Sequence, residues 1–171
     1  MGILADRLDA MVVRVSSPDG RIAGELRNRD DITVSFPAGG FRRYTERGLE
    51  HQLSRLVLRL WTGYRRGFDT ALAEALDGNP EKPRRSWDAN QRRFHTAQAE
   101  TVAEGMSPAE CVYLRTAGMR SCDVVVRDGT VNKMDESEFV AELLGAYRAM
   151  NRDFRAKMYE LRAEHFDASP L

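Results

Sequence analysis

The stretch from Thr45 to about Asp77, TERGLEHQLSRLVLRLWTGYRRGFDTALAEALD, constrains the fold most. Its apolar residues fall at Leu49, Leu53, Leu56, Val57, Leu60, Trp61, Tyr64, Phe68, Leu72 and Leu76. Steps of three and four place them along one side of a helix, and a stripe that wide demands a partner surface. A helix of this length extends roughly 45–50 Å, against about 20 Å for a short strand. One small sheet covers only its N-terminal part, so the far end, Tyr64 to Leu76, needs a second helix or a second protein chain.

The residues ahead of it supply the sheet. Residues 3–10 suit a short helix, with Leu4, Leu8 and Met11 on one side. From Met11 the period becomes two: Val13 and Val15 alternate with Arg14 and Ser16. Ser17-Pro18-Asp19-Gly20 is a turn, because proline presets φ and Gly20 tolerates the left-handed conformation. RIAGEL reads as the return strand. ITVSF is the clearest strand of all, with Ile32, Val34 and Phe36 on one face, and Thr45 is a suitable N-cap for the long helix.

Gly78 to Pro83 breaks the helix, so we expect a unit over 1–77, a linker over 78–86 and a second unit over 87–171. Trp87 to about Glu104 reads as a helix with Gly105 as its stop. Ser107-Pro108-Ala109-Glu110 has the chemistry of a capping box, which predicts a short helix over CVYLRTAG; a strand is the alternative. Cys122 to Val126 reads as a strand, Arg127-Asp128-Gly129 as a tight turn and Thr130 to Met134 as its return strand. Asp135 and Glu138 form a second capping signature. The helix that follows, to about His165, carries Phe139, Leu143, Tyr147, Met150, Phe154, Met158 and Leu161 in one stripe.

Both halves thus read as a strand, an Asp-Gly turn, a return strand and a long amphipathic helix, with the two turns 109 positions apart (19 to 128). The expected fold is α+β: small antiparallel meanders or hairpins packed with long amphipathic helices, as two tandem units forming a pseudo-dimer. Tyr64, Phe68 and Leu72 should then lie against Tyr147, Phe154 or Met158.

VVRVSSPDGRIAGEL with LEHQLSRLVLRLW, echoed in VVVRDGTVNKMDESEFVAELLGAY, resembles the YbaB/EbfC nucleoid-associated family, especially the divergent versions found with actinobacterial type VII secretion systems. The resemblance covers about half the chain and implies a helix–sheet–helix fold, dimers and DNA binding, or, in divergent members, a chaperone or adaptor linked to secretion. The chain departs from that pattern in its length, its two units and its short first helix.

The 171 residues carry 26 basic and 26 acidic side chains, and the zero net charge argues against holding nucleic acid by bulk attraction. No apolar run reaches the roughly 20 residues of a membrane span, and no signal-peptide core is expected, so a cytoplasmic location follows. Cys111 and Cys122 match neither a redox pair nor a zinc knuckle; reduced, partly buried thiols are expected. His51, His95 and His165 lack metal-ligand spacing, Ser16, Ser17 and Ser35 lack a nucleophile context, and Gly39-Gly40 falls short of a phosphate loop. We therefore expect no enzyme activity, metal, cofactor or small-molecule substrate.

Two interaction surfaces remain. Trp61, Tyr64, Phe68, Leu72, Tyr147, Phe154 and Met158 form the apolar candidate for a protein partner or self-association. Arg42, Arg43, Arg47, Arg55, Arg59 and Arg66 form the basic one. Between residues 42 and 66 seven arginines face two glutamates, so an arginine ridge suits DNA phosphates or an acidic protein. Protein interaction, as an adaptor or chaperone, is the leading reading; double-stranded DNA binding through the ridge is the alternative.

Overall fold

A computed structural model describes residues 3–28, 30–75 and 89–167. The linker over 78–86, together with Leu76, Asp77 and Trp87, lies outside them. The architecture is α+β, with two three-stranded antiparallel sheets. The first unit runs α1 (Ile3–Ala10), β1 (Val12–Ser16), β2 (Ala23–Arg27), β3 (Asp31–Ser35), a 3-10 turn (Phe41–Arg43) and α2 (Glu46–Ala75). The second runs α3 (Ala89–Glu100), β4 (Val102–Met106), β5 (Val112–Ala117), β6 (Ser121–Val126), α4 (Thr130–Lys133) and α5 (Glu136–Arg162), which continues into a π-turn at Ala163–Asp167.

The first sheet forms as its alternation dictates. Ile22, Leu26, Ile32, Val34 and Phe36 are buried, while Arg14, Thr33 and Ser35 are exposed. The Ser17 N–H donates to Ile22 O at 2.8 Å and Gly20, at φ +73°, closes the turn onto Ser17 O.

The second sheet corrects three expectations. Ser107-Pro108-Ala109-Glu110 is a hairpin turn, not a helix cap: Ser107 N–H donates to Val112 O at 2.8 Å, and Ser107 Oγ accepts from the amides of Cys111 and Val112. A serine that gathers the amides of the next strand closes a turn as readily as it starts a helix. CVYLRTAG accordingly gives β5, with Val112, Leu114 and Thr116 buried at period two. Gly105 is not a helix stop but lies within β4, where a Cβ would be 2.2 Å from Ala146 O. Thr130 to Met134 is not a return strand. Gly129, at φ +84°, turns the chain out of β6 into α4.

These corrections change the internal repeat. The two Asp-Gly turns are not equivalent; the units superpose in sequence at an offset of 90, Ser17-Pro18 on Ser107-Pro108. Left-handed backbone recurs at that spacing, at Gly20 and Glu110, Asn28 and Gly118, and Gly39 and Gly129. The buried faces recur as well: Leu49 matches Phe139, Leu53 matches Leu143, Leu56 matches Ala146 and Leu60 matches Met150.

Each long helix covers the face of its own sheet and borders the third strand of the other. The Cβ position of Gly24 on β2 lies 3.2 Å from Leu56 and Leu60, so α2 rests on that strand. On its other side α2 reaches β6. Ser54 Oγ accepts from Val124 N–H at 3.0 Å and Glu50 Oε1 from Val126 N–H at 2.9 Å. The buried side chains form one continuous cluster through both units. At its centre Phe41 stacks on Phe139 with ring centroids 4.9 Å apart, and Phe36 meets Phe139 edge-on.

The two α2 and α5 stripes meet at Trp61, a turn earlier than expected. Trp61 and Tyr147 are 5% and 3% exposed, and the indole N–H donates to the Tyr147 hydroxyl at 3.1 Å. Tyr64 borders Tyr147 at a cavity of about 200 Å³. Beyond it α2 is flanked by α1, which buries Leu8 and pairs Arg7 with Glu74 at 2.5 Å. The end of α5 is flanked likewise by α3, where Phe94 meets His165 and Phe166.

Candidate interaction site

The outward side of α2 is a ridge between two grooves. On one side, facing β1, a groove of about 830 Å³ is lined by Arg55, Arg59, Arg66 and His51 together with Val15 and Ser16 of the strand. On the other, facing β6, a groove of about 770 Å³ is lined by Arg47, Arg55, Arg120, Glu50 and Asp123. His51, Arg55 and Leu58 belong to both and form the crest.

The helix period produces this arrangement. Residues 51, 55, 58, 59, 62 and 66 share the side of α2 opposite its buried stripe, so burying Leu53, Leu56, Leu60 and Trp61 turns the arginines outward. Arg59 is anchored at the rim, where its guanidinium donates to Ser16 O at 2.6 Å. Gln52 Oε1 accepts from Asp19 N–H at 3.0 Å and holds the β1–β2 turn against the helix.

Electrostatically the two grooves differ. The β1-side groove has three arginines and no carboxylate in its lining. In the β6-side groove Glu50 and Asp123 face three arginines, and Glu50 already accepts from the strand. Near the turn, burial pushes Asp19 up, but hydrogen bonds from Ser17 and Tyr44 outweigh it and hold the carboxyl below the usual range. Burial and the facing Asp19 raise the Tyr44 hydroxyl to about 12.

All six arginines singled out from the sequence are exposed. The fold brings Arg55, Arg59 and Arg66 into one groove and Arg47 with Arg55 into the other, while Arg42 and Arg43 sit on the 3-10 turn ahead of α2, outside both linings. Arg120, on the β5–β6 turn, joins Arg47 and Arg55 from far along the chain, and no local pattern announces it. Of the apolar set, Trp61 and Tyr147 are interior; Tyr64, Phe68, Leu72, Phe154 and Met158 are half-buried.

Both cysteines are free and buried. Burial pushes the Cys122 thiol up to about 12 and also raises Cys111, which lies beside Glu142, so neither is a ready thiolate. Among the described residues no cluster of three or more His, Cys, Asp or Glu side chains has metal-holding geometry, and no helix is long and apolar enough to cross a membrane. The chain matches no family model, no curated protein and no solved structure.

Proposed function

We propose that the chain is a non-enzymatic protein-interaction module, of adaptor or chaperone type, that receives its partner on the outward side of α2. One observation carries the reading: the β1-side groove presents Arg55, Arg59 and Arg66 beside an edge strand with no carboxylate in its lining. Such a lining favours an acidic partner by charge complementarity. The apolar stripe, by contrast, is largely engaged within the chain. A YbaB/EbfC-like relationship, a link to secretion and a cytoplasmic location belong to the same proposal. The order helix, three strands, helix in each unit supports the first of these.

Duplex DNA is the second reading, favoured by the exposure of all six arginines. The two are separated by panning a random peptide display library on the immobilised wild-type chain and on the Arg55→Glu/Arg59→Glu variant, with a gel shift on a duplex at 50 and 200 mM salt. The protein reading expects peptides enriched on the wild type and lost on the variant, with no shift. A shift at 50 mM that vanishes at 200 mM, with no peptide enrichment, overturns it in favour of phosphate binding.

A further inference from the structure

We propose that β1 is a docking edge: an extended acidic segment of a partner protein adds to the first sheet as a fourth strand, lying in the groove beneath Arg55, Arg59 and Arg66. This rests on the protein-interaction reading and specifies its mode.

The β1–β2 register settles which backbone groups are available. Val13 pairs with Leu26 and Val15 with Gly24, in phase with the hydrogen bond from Ser17 N–H to Ile22 O. Residues 13 and 15 therefore bond to β2, and the N–H and C=O groups of residues 12, 14 and 16 point outward from the sheet. The bond from Arg59 to Ser16 O shows that outward direction.

The second unit shows what closes such an edge. On β4 the outward Glu104 N–H donates to Asp153 Oδ2 at 2.9 Å, and the outward Val102 O accepts from Lys157 Nζ at 2.8 Å. Both caps come from α5. At an offset of 90, Asp153 and Lys157 correspond to Gly63 and Gly67 on α2, which have no side chain to offer Arg14 N–H or Val12 O. Both glycines lie close against side chains at the start of the first sheet. A Cβ at Gly63 would lie 2.5 Å from Val13 Cγ1, and one at Gly67 would lie 2.2 Å from the Met11 sulfur. Met11 and Val13, larger than the matching Thr101 and Ala103, take up the space beside β1 from which such caps would start.

An unprotected edge strand is a template for another strand, with main-chain bonds giving affinity and flanking side chains giving selectivity. Here the flanking side chains are cationic. A second copy of this chain pairing β1 with β1 would bring two arginine-lined grooves together, so like charge disfavours it. An acidic extended segment gains both the ladder and the arginines, Arg59 exchanging Ser16 O for a ligand carboxylate.

The test uses the full chain and a fluorescein-labelled decapeptide alternating valine with glutamate. Its counterparts replace glutamate with lysine or carry N-methyl groups on the amides of one edge. The proposal expects the acidic peptide to bind, the lysine peptide not to, and N-methylation to weaken binding at least about tenfold, as losing several ladder bonds requires. Arg14→Pro removes one outward N–H at a position an edge strand tolerates, and is expected to weaken binding about tenfold. Exchange of the Arg14 and Ser16 amides should slow at least about tenfold when the peptide is bound to the wild type, a readout that stands even if the variant fails to fold. Binding that leaves those amides unprotected and is indifferent to N-methylation overturns the added strand while leaving the protein-interaction reading intact. A β1-mediated dimer without peptide, or failure of any acidic peptide to bind while panning yields other sequences, likewise overturns the strand proposal alone.

Discussion

The two sheets have the same topology and the same helical cover, yet side chains close the edges of the second far more fully than the β1 edge of the first. In the second sheet α2 caps the outer edge of β6 with Ser54 and Glu50, and α5 caps the outer edge of β4 with Asp153 and Lys157. In the first sheet the matching positions are Val140 and Leu144 beside β3, and Gly63 and Gly67 beside β1. On β1 only Ser16 O is capped, by Arg59, and among the described residues no side chain caps the outward groups of Val12 and Arg14.

The sharpest way to break the comparison is to exchange residues between the copies at one matched position. Gly105 on β4 corresponds to Val15 on β1. With Cβ positions 2.2 Å from Ala146 O and 2.3 Å from Met150 N, Gly105→Val must push α5 off its sheet. We expect a loss of at least about 3 kcal/mol in urea unfolding, since both obstacles are backbone atoms. The reverse change, Val15→Gly, removes a half-buried side chain and adds backbone freedom, and should cost about 1 kcal/mol. Equal losses for the pair would show that α2 and α5 sit equally close to their sheets.

A smaller effect comes from the β6 edge. Glu50→Ala leaves the amide of Val126, a residue 3% exposed, without its acceptor, which should cost about 1–3 kcal/mol. Ser54→Ala does the same to Val124. At the matched site Val140→Ala removes only apolar contact and should cost about 1 kcal/mol. Thermal unfolding of the four proteins checks the ranking; a cost for Val140→Ala exceeding that for Glu50→Ala would break it.

Much of this fold is legible in the chain. The stripes of α2 and α5 keep the 3.6 period over many turns, and β1–β3 keep period two between clear turns. The second sheet misleads because its signals serve two structures. Ser107-Pro108-Ala109-Glu110 has an N-cap hydroxyl, a proline and a glutamate three later, but the serine's amides belong to the following strand. Gly105 looks like a stop because it lacks a side chain, yet that lack is what β4 needs under α5. The Asp-Gly pairs at 19 and 128 suggest one alignment of the units, but the Ser-Pro pairs at 17 and 107 mark the offset at which left-handed backbone and buried faces recur. At the site, Arg55, Arg59 and Arg66 are evident from helix spacing. The meaning of Gly63 and Gly67 is not, because it emerges only when Asp153 and Lys157 are seen bonding to β4.

The smallest expected effect concerns the β4 cap and depends on pH. The hydrogen bond from Lys157, then that from Glu104 N–H, hold the Asp153 carboxyl below its ordinary value of 3.8. A carboxyl lowered in the folded state contributes stability above its unfolded pKa, and that contribution is lost as the pH falls through the folded value. Asp153→Asn should therefore be less stable than wild type at pH 7, by under about 1 kcal/mol because the pair is half-exposed and screened. The gap should narrow as the pH drops below about 4, where wild type begins to lose the charge as well. Lys157→Met should abolish most of the pH dependence of this gap without restoring stability. If Asp153→Asn instead matches wild type at every pH, the carboxylate gives the β4 edge no measurable strength, and the contrast with Gly63 is one of access to the strand rather than of stability.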